Sequence, residues 1–311
     1  MYQTSQQHTN NKLSTSSMGA DSGASRSKTV VVKCSVELVG RVDEARLSAG
    51  FEAAVAGEMG GLRGTDKMVV ELELPTGRGR PASKQLEWIL SAVYVHVERH
   101  KAARDELLIQ VEVVILGFSQ HDRAQSPFFA GPDDDHDMHR ELFPTLALGG
   151  TFDHLHSGHK ILLTMASWLA TRRLVVGITD DELLKNKQHA DWLEPLSERQ
   201  KAVHMFLERV GPRDLVVETP VLQDVYGPTA WDPDIDALLV SKETLPGAQA
   251  IDAIRAQNSL TPLARYVIDV ISHNLSSLPD DQDLKDLKIS STHIRAWLNS
   301  RSPSPQVPPT T

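Results

Sequence analysis

The chain has 311 residues, 40% of them hydrophobic and 23% charged, with a formal net charge of −9. That length suffices for a sizeable core, divided into two domains. The acidic balance argues against a nucleic-acid binder held by long-range electrostatics, and no apolar run approaches the ~18 residues of a membrane span.

Residues 1–28 are rich in Ser, Thr, Gln and Asn, lack the apolar core of a secretory signal and are poor in Arg. They read as a disordered tail. Residues 29–38 are β-branched and apolar, hence a strand. This strand holds the one cysteine, Cys34, which excludes an internal disulfide, suits a reducing compartment and reads as a buried small hydrophobe. Residues 41–58 place Leu47, Phe51 and Val55 at helical spacing. A second strand covers 68–74 and ends at Pro75 and Gly77. Pro81 and Ser83 open a long helix to about Arg104, with Leu86, Ile89, Leu90, Val93 and Val97 on one side, and a third strand runs over 107–116. The alternation predicts a small α/β domain at 29–118.

No chemistry stands out there. His96 and His100 lie four apart on the long helix, but no Glu adjoins the first His as a zinc-protease motif requires, so they read as a solvated face. Arg78 and Arg80 read as a turn. Residues 119–143 form an acidic linker in which Asp133, Asp134, Asp135 and His136 read as a flexible loop rather than a metal site.

The second half restarts the alternation. Residues 145–148 are a strand and 157–169 a helix with Ile161, Leu162, Met165 and Leu169 inward. The unbroken apolar run 174–178 is a fully buried strand. Asp180 and Asp181 open a short helix through Leu184. Pro195 and Ser197 open another, with Ala202, Val203, Phe206, Leu207 and Val210 as its stripe, ended by Gly211 and Pro212. Strands follow at 215–217 and 235–240, a helix from Gly247 to about Gln257, a last strand at 266–271, and a final helix from Ser290 through Leu298. Residues 300–311 read as a disordered tail. Five strands with intervening helices predict a doubly wound, Rossmann-like parallel sheet at 144–299.

The chemistry concentrates in Gly149-Gly-Thr-Phe-Asp-His-Leu-His-Ser-Gly-His159. Gly149 and Gly150 follow a buried strand, where a tight turn needs φ freedom and close backbone approach. Gly158 lets a bulky group lie against the helix start. The unpaired N–H groups of that first turn favour an anion. His156 and His159 are three apart and face one side, where imidazoles can donate to phosphate oxygens and stabilise charge on a phosphorus under attack. Near the C-terminus, Ile289-Ser-Ser-Thr-His-Ile-Arg295 puts hydroxyls at another helix start, with Arg295 one turn on and able to fork onto a phosphate.

These two stretches, about 130 residues apart, resemble the paired signatures of the nucleotidyltransferases with an H-x-G-H motif. Within them the chain is similar to the phosphopantetheine adenylyltransferases of eukaryotes and archaea. Lys160-Ile-Leu-Leu follows the first motif, Gly177-Ile-Thr-Asp-Asp-Glu-Leu-Leu-Lys-Asn-Lys187 follows the second strand, and Glu194-Pro-Leu-Ser-Glu-Arg199 comes next. The fourth strand leads into Val240-Ser-Lys-Glu-Thr-Leu-Pro-Gly-Ala-Gln-Ala-Ile251. Cytidylyltransferases usually carry Arg-Thr-x-Gly before the serine-threonine string, where this chain has Lys285-Asp-Leu-Lys288. The nicotinamide branch usually has Asn-Pro after the Phe, where this chain has Asp153-His154. One departure is Asp252, where the phosphopantetheine branch commonly has Asn.

The resemblance covers residues 145–298. It implies transfer of the adenylyl group of ATP to 4′-phosphopantetheine, giving 3′-dephospho-CoA and pyrophosphate in coenzyme A biosynthesis, by direct in-line attack. It implies catalytic roles for His156, His159, Lys185 and Lys187. ATP would be bound by Gly150, Thr151, Phe152, Gly158, His159, Ser290, Ser291, Thr292 and Arg295, with adenine bordered by residues 241–247. Thr151 would bind the acceptor, with Lys185 or Lys187 as the anchor for its phosphate or for the developing charge. Mg²⁺ is expected with ATP, held by phosphate oxygens, and the histidines are expected to be neither metal ligands nor nucleophiles. Alternatives are a nucleotidyltransferase for nicotinamide mononucleotide or phosphocholine, or a non-catalytic nucleotide-binding regulator. The expected setting is cytoplasmic, without nucleic acid or membrane span. The first half is expected to serve regulation or association with other coenzyme A pathway enzymes.

Overall fold

The computed structural model describes residues 27–36, 44–74, 82–119, 142–242, 244–268 and 290–301. The chain divides into two compact units: Met1–Pro75 with Ala92–Leu116, and Thr76–Ser91 with Gly117–Thr311. Readings placed on 1–26, on Arg78 and Arg80, on 120–141, on 269–289 (which includes Ile289) and on 302–311 lie outside the described residues.

In the first unit, β1 (Thr29–Ser35), β2 (Lys67–Glu73) and β3 (Gln110–Ile115) form a parallel sheet in that order, with Val30 opposite Met68 and Met68 opposite Val111. Val30, Val32 and Cys34 on β1, and Met68, Val70 and Leu72 on β2, are buried at period two, as one covered face requires. Helix α1 (Glu44–Met59) buries Leu47, Phe51, Val55 and Met59. Burial pushes the Cys34 thiol up to about 11, so it is an inert core residue.

His96 is buried on α2 (Ser83–Ala103), not solvated, and its Nε2 lies 2.8 Å from Ser48 Oγ. The reason is periodic: His96 falls seven residues after Ile89 and three after Val93, on the apolar stripe itself.

The second unit carries a sheet ordered β6-β5-β4-β8-β9, every pair parallel. Its strands are β4 (Phe143–Gly150), β5 (Ala170–Thr179), β6 (Val216–Glu218), β8 (Ala237–Ser241) and β9 (Ala264–Ile268). These are the five expected strands. A two-residue β7 (Val221–Leu222) is added, because the chain breaks at Thr219 and Pro220 and pairs again with β5 at Ile178 and Thr179. The chain winds outward from β4 to β5 and β6, then returns to β8 and β9 on the other side of β4. The strand order therefore reverses at β4, where open parallel sheets bind ligands at their carboxyl ends.

Helix α3 (Ser157–Leu169) is buried on nearly every face, α4 (Leu196–Val210) buries Val203, Phe206, Leu207 and Val210, and α6 (Ser291–Arg301) closes the chain order. Helix α5 (Leu245–Gln257) starts two residues before the expected Gly247 and packs Ala248 and Ile251 with Ala147, Val175, Leu238 and Val240. The first residues of α2 count with this unit: Lys84 donates to Val267 O at 2.9 Å and lies 5.0 Å from the Tyr266 ring centroid. The Phe118 and Trp168 rings meet at a tilt of 55°, with centroids 4.7 Å apart. Among the described residues no helix is long and apolar enough to cross a membrane.

Candidate active site

Strand β4 runs straight into the first motif. Gly149 and Gly150 keep extended backbone as its last residues, so the expected φ freedom is not used there. The glycines are needed for close approach instead: a Cβ on Gly149 would meet Leu222 at 3.2 Å, and one on Gly150 would meet the Phe152 ring at 3.1 Å. The left-handed conformation falls two and four residues after Gly150, on Phe152 (φ 51°) and His154 (φ 44°). Each costs roughly 1–2 kcal/mol in a residue with a Cβ, a strain that has to be held by its surroundings.

The hold is visible. Asp153, between the two, is fully buried and ion-paired with Arg295 of α6. Its Oδ1 accepts the Glu194 N–H at 2.9 Å, and its carbonyl accepts Ser291 Oγ at 2.8 Å. The His154 N–H donates to Glu194 at 2.6 Å, and His154 Nε2 donates to Trp192 O at 2.7 Å. The two motifs, far apart in sequence, therefore share one buried ion pair.

At the mouth of α3, His156 takes the N-cap position with extended backbone (φ −89°, ψ 174°), and Gly158 is buried in the first turn. The imidazoles of His156 and His159 stack at 3.8 Å, and Phe152 lies 5.2 Å from His159. Burial, aided by the neighbouring Lys160 ammonium, pushes the His159 imidazolium down to about 3, so this ring is neutral near pH 7. Its Nδ1 has no hydrogen-bond partner among the described residues.

Ser290 caps α6, accepting the His293 N–H on Oγ at 3.2 Å. Thr292 Oγ1 accepts from Arg295 at 3.1 Å. Arg295 is buried, and its Nε donates to Gln188 O at 3.0 Å. The guanidinium assigned by sequence to a phosphate is thus engaged by Asp153, Gln188 and Thr292. Lys185 and Lys187 are both exposed on the segment after β5, and Lys185 pairs with Glu182 at 2.5 Å. Asp252 pairs with Arg265 of β9.

Sequence reasoning missed Arg199. It is fully buried in the first turn of α4 and donates to the carbonyls of Glu194 at 2.9 Å, Thr151 at 2.8 Å and Thr179 at 2.9 Å, besides pairing with Asp181. It ties the chain leaving β4 to the chain leaving β5. In the sequence it closed the Glu194–Arg199 stretch of the resemblance without a role of its own, one turn after Pro195, where a buried cation needs several acceptors.

A family described as Cytidylyltransferase-like matches residues 147–297. A phosphopantetheine adenylyltransferase of Saccharomyces cerevisiae is 42% identical over 58% of this chain and 54% of its own length, so the chain spans about half of that relative. Archaeal proteins of the same name match over most of their length: that of Methanopyrus kandleri is 40% identical over 42% of this chain and 80% of its own, and that of Pyrococcus abyssi 34% over 50% and 91%. Identity at that level across most of the archaeal chains means that the chain belongs to the phosphopantetheine adenylyltransferase family.

Proposed function

We propose that this protein transfers the adenylyl group of ATP to 4′-phosphopantetheine, giving 3′-dephospho-CoA and pyrophosphate. The observation that carries the reading is the buried Asp153–Arg295 pair, which joins the two phosphate-handling motifs at the point where the strand order reverses. The names of the archaeal relatives supply the acceptor.

An oxygen of the acceptor phosphate attacks the α-phosphorus of ATP in line. The bond from that phosphorus to the oxygen bridging to the β-phosphate breaks, and its electron pair leaves with pyrophosphate. No covalent enzyme intermediate forms, so the protein contributes position and charge stabilisation. His159, neutral before ATP binds, donates a hydrogen bond to phosphate oxygens together with His156. Thr151 and the backbone of Gly150, Phe152 and Gly158 hold the two phosphates in line. Ser290 and Thr292, whose oxygens accept bonds from the protein, keep their O–H protons for ATP phosphates, whereas Ser291 donates its own to Asp153 O. Lys185 and Lys187, exposed beside the motif, offer cations to the acceptor phosphate.

Among the described residues the one cluster with metal-ligand chemistry is Asp153, His154 and Glu194. It does not suit a resident Mg²⁺: Arg295 and the Glu194 N–H take the Asp153 carboxylate, and the His154 N–H takes Glu194. Mg²⁺ therefore enters as part of the substrate, on ATP oxygens. We place the protein in the cytoplasm, which suits its single buried thiol, and assign the first unit to regulation or to association with other coenzyme A pathway enzymes. The test of the motif is His159→Ala, for which turnover of ATP and 4′-phosphopantetheine should fall by about 10²–10³-fold, the scale of one lost transition-state donor. Near wild-type turnover would overturn the assignment.

A further inference from the structure

The segment 185–194 carries both candidate lysines for the acceptor phosphate, yet contains only one short 3₁₀ turn, Ala190–Trp192. Besides Arg199 Nε, which donates to Glu194 O at 2.9 Å, its fastenings come from the two motifs. From α6, Arg295 Nε donates to Gln188 O at 3.0 Å, and Asn299 Oδ1 accepts Trp192 Nε1–H at 3.2 Å. From the first motif, His154 Nε2 donates to Trp192 O at 2.7 Å, and Asp153 Oδ1 accepts the Glu194 N–H at 2.9 Å. Arg295 sits at the junction, because the same guanidinium holds Gln188 O and the Asp153 carboxylate while lying buried.

We infer that Arg295, helped by His154, is a positioning residue for the acceptor: it latches the lysine-bearing segment 185–194 onto both motifs rather than gripping the triphosphate. Three features support this. A guanidinium offers five N–H donors in a fixed fork, and here all three nitrogens are already directed at protein acceptors. Pulling it onto a phosphate would strip the buried Asp153 carboxylate of its cation, which is a costly exchange. His154 reaches the same segment from a left-handed backbone position, so two independent side chains converge on one loop.

The latch rests on the proposed reaction, and its test separates the two. Arg295→Lys keeps the cation beside Asp153 but cannot also reach Gln188 O. His154→Asn tolerates the left-handed backbone and is too short for Trp192 O. For each variant one measures the acceptor KM, the Kd of Mg·ATP without acceptor by calorimetry, and backbone amide exchange over 185–194. Loss of one such bond predicts an acceptor KM raised about fivefold to tenfold, an unchanged ATP Kd and faster exchange over 185–194. An ATP Kd weakened about tenfold by Arg295→Lys, with the acceptor KM unchanged, overturns the latch and restores the phosphate fork. If Arg295→Lys does not fold, His154→Asn, which removes no buried charge, decides: an unchanged acceptor KM and unchanged exchange overturn the inference. If the wild type turns over no 4′-phosphopantetheine, the reaction is wrong, and the exchange measurement alone then supports or overturns the latch.

Discussion

Replacing Arg199 by Met keeps the aliphatic stem and deletes the guanidinium. The carbonyls of Thr151, Thr179 and Glu194 then lose a donor, and Asp181 loses an ion pair. An orphaned acceptor costs about 1–3 kcal/mol when water cannot replace its partner. Thr151, Thr179 and Glu194 are only half-buried, so the lower end applies, about 3 kcal/mol for the three. Asp181 is exposed, and its pair contributes ~0–1 kcal/mol. Relief of the buried charge offsets part of the loss. The net is roughly 2–3 kcal/mol, or about 4–12 °C in the melting temperature of a unit this size. The assay is thermal unfolding by circular dichroism, with turnover measured well below the transition. Turnover should fall even where the variant is folded, because Thr151 lies in the loop that is to hold both phosphates. Arg199→Lys should fall between the two. A melting temperature within about 2 °C of wild type, with turnover intact, would refute the reasoning.

Other outcomes follow from single contacts. A Cβ at Gly177 would stand 2.6 Å from Leu222 Cδ2, so Gly177→Ala should destabilise by about 1–3 kcal/mol, and adding Leu222→Ala should return part of that loss in a denaturant-unfolding cycle. Burial pushes His96 down to about 4 and His159 down to about 3. Below the ordinary value of 6.5 the unfolded chain takes up these protons and the folded chain does not, so stability falls as pH drops from 6.5 toward 4. For His96 the full effect is on the order of 3 kcal/mol, and His96→Gln should flatten the dependence measured by urea unfolding. A fragment starting at Pro144 loses Lys84 from Val267 O and Phe118 from Trp168. It should melt several degrees below the full chain, and an equal melting temperature would show that these contacts add nothing.

The sequence carried the framework well wherever a side chain's own chemistry or periodicity was the signal. Apolar runs placed the strands of both sheets except the two-residue β7, and Ser290 and Asp180 announced helix starts that the structure caps with those side chains. What was not legible depended on backbone groups or on partners remote in sequence. Arg199 acts on three carbonyls, which no residue type reveals. The ion pair of Arg295 was hidden because its partner, Asp153, is 142 positions away. The strained residues are Phe152 and His154 rather than the glycines, since the glycines serve packing against Leu222 and Phe152. His96 was legible in principle, because it lies on the stripe that Ile89 and Val93 define, and it was misread from its residue type.

The most direct test of the central claim is pyrophosphate release by the purified 311-residue chain. ATP and CTP are each paired with 4′-phosphopantetheine, nicotinamide mononucleotide and phosphocholine. Release is expected with ATP and 4′-phosphopantetheine alone, with 3′-dephospho-CoA formed mole for mole. Release with another pair, or ATP binding without turnover on any acceptor, would contradict it.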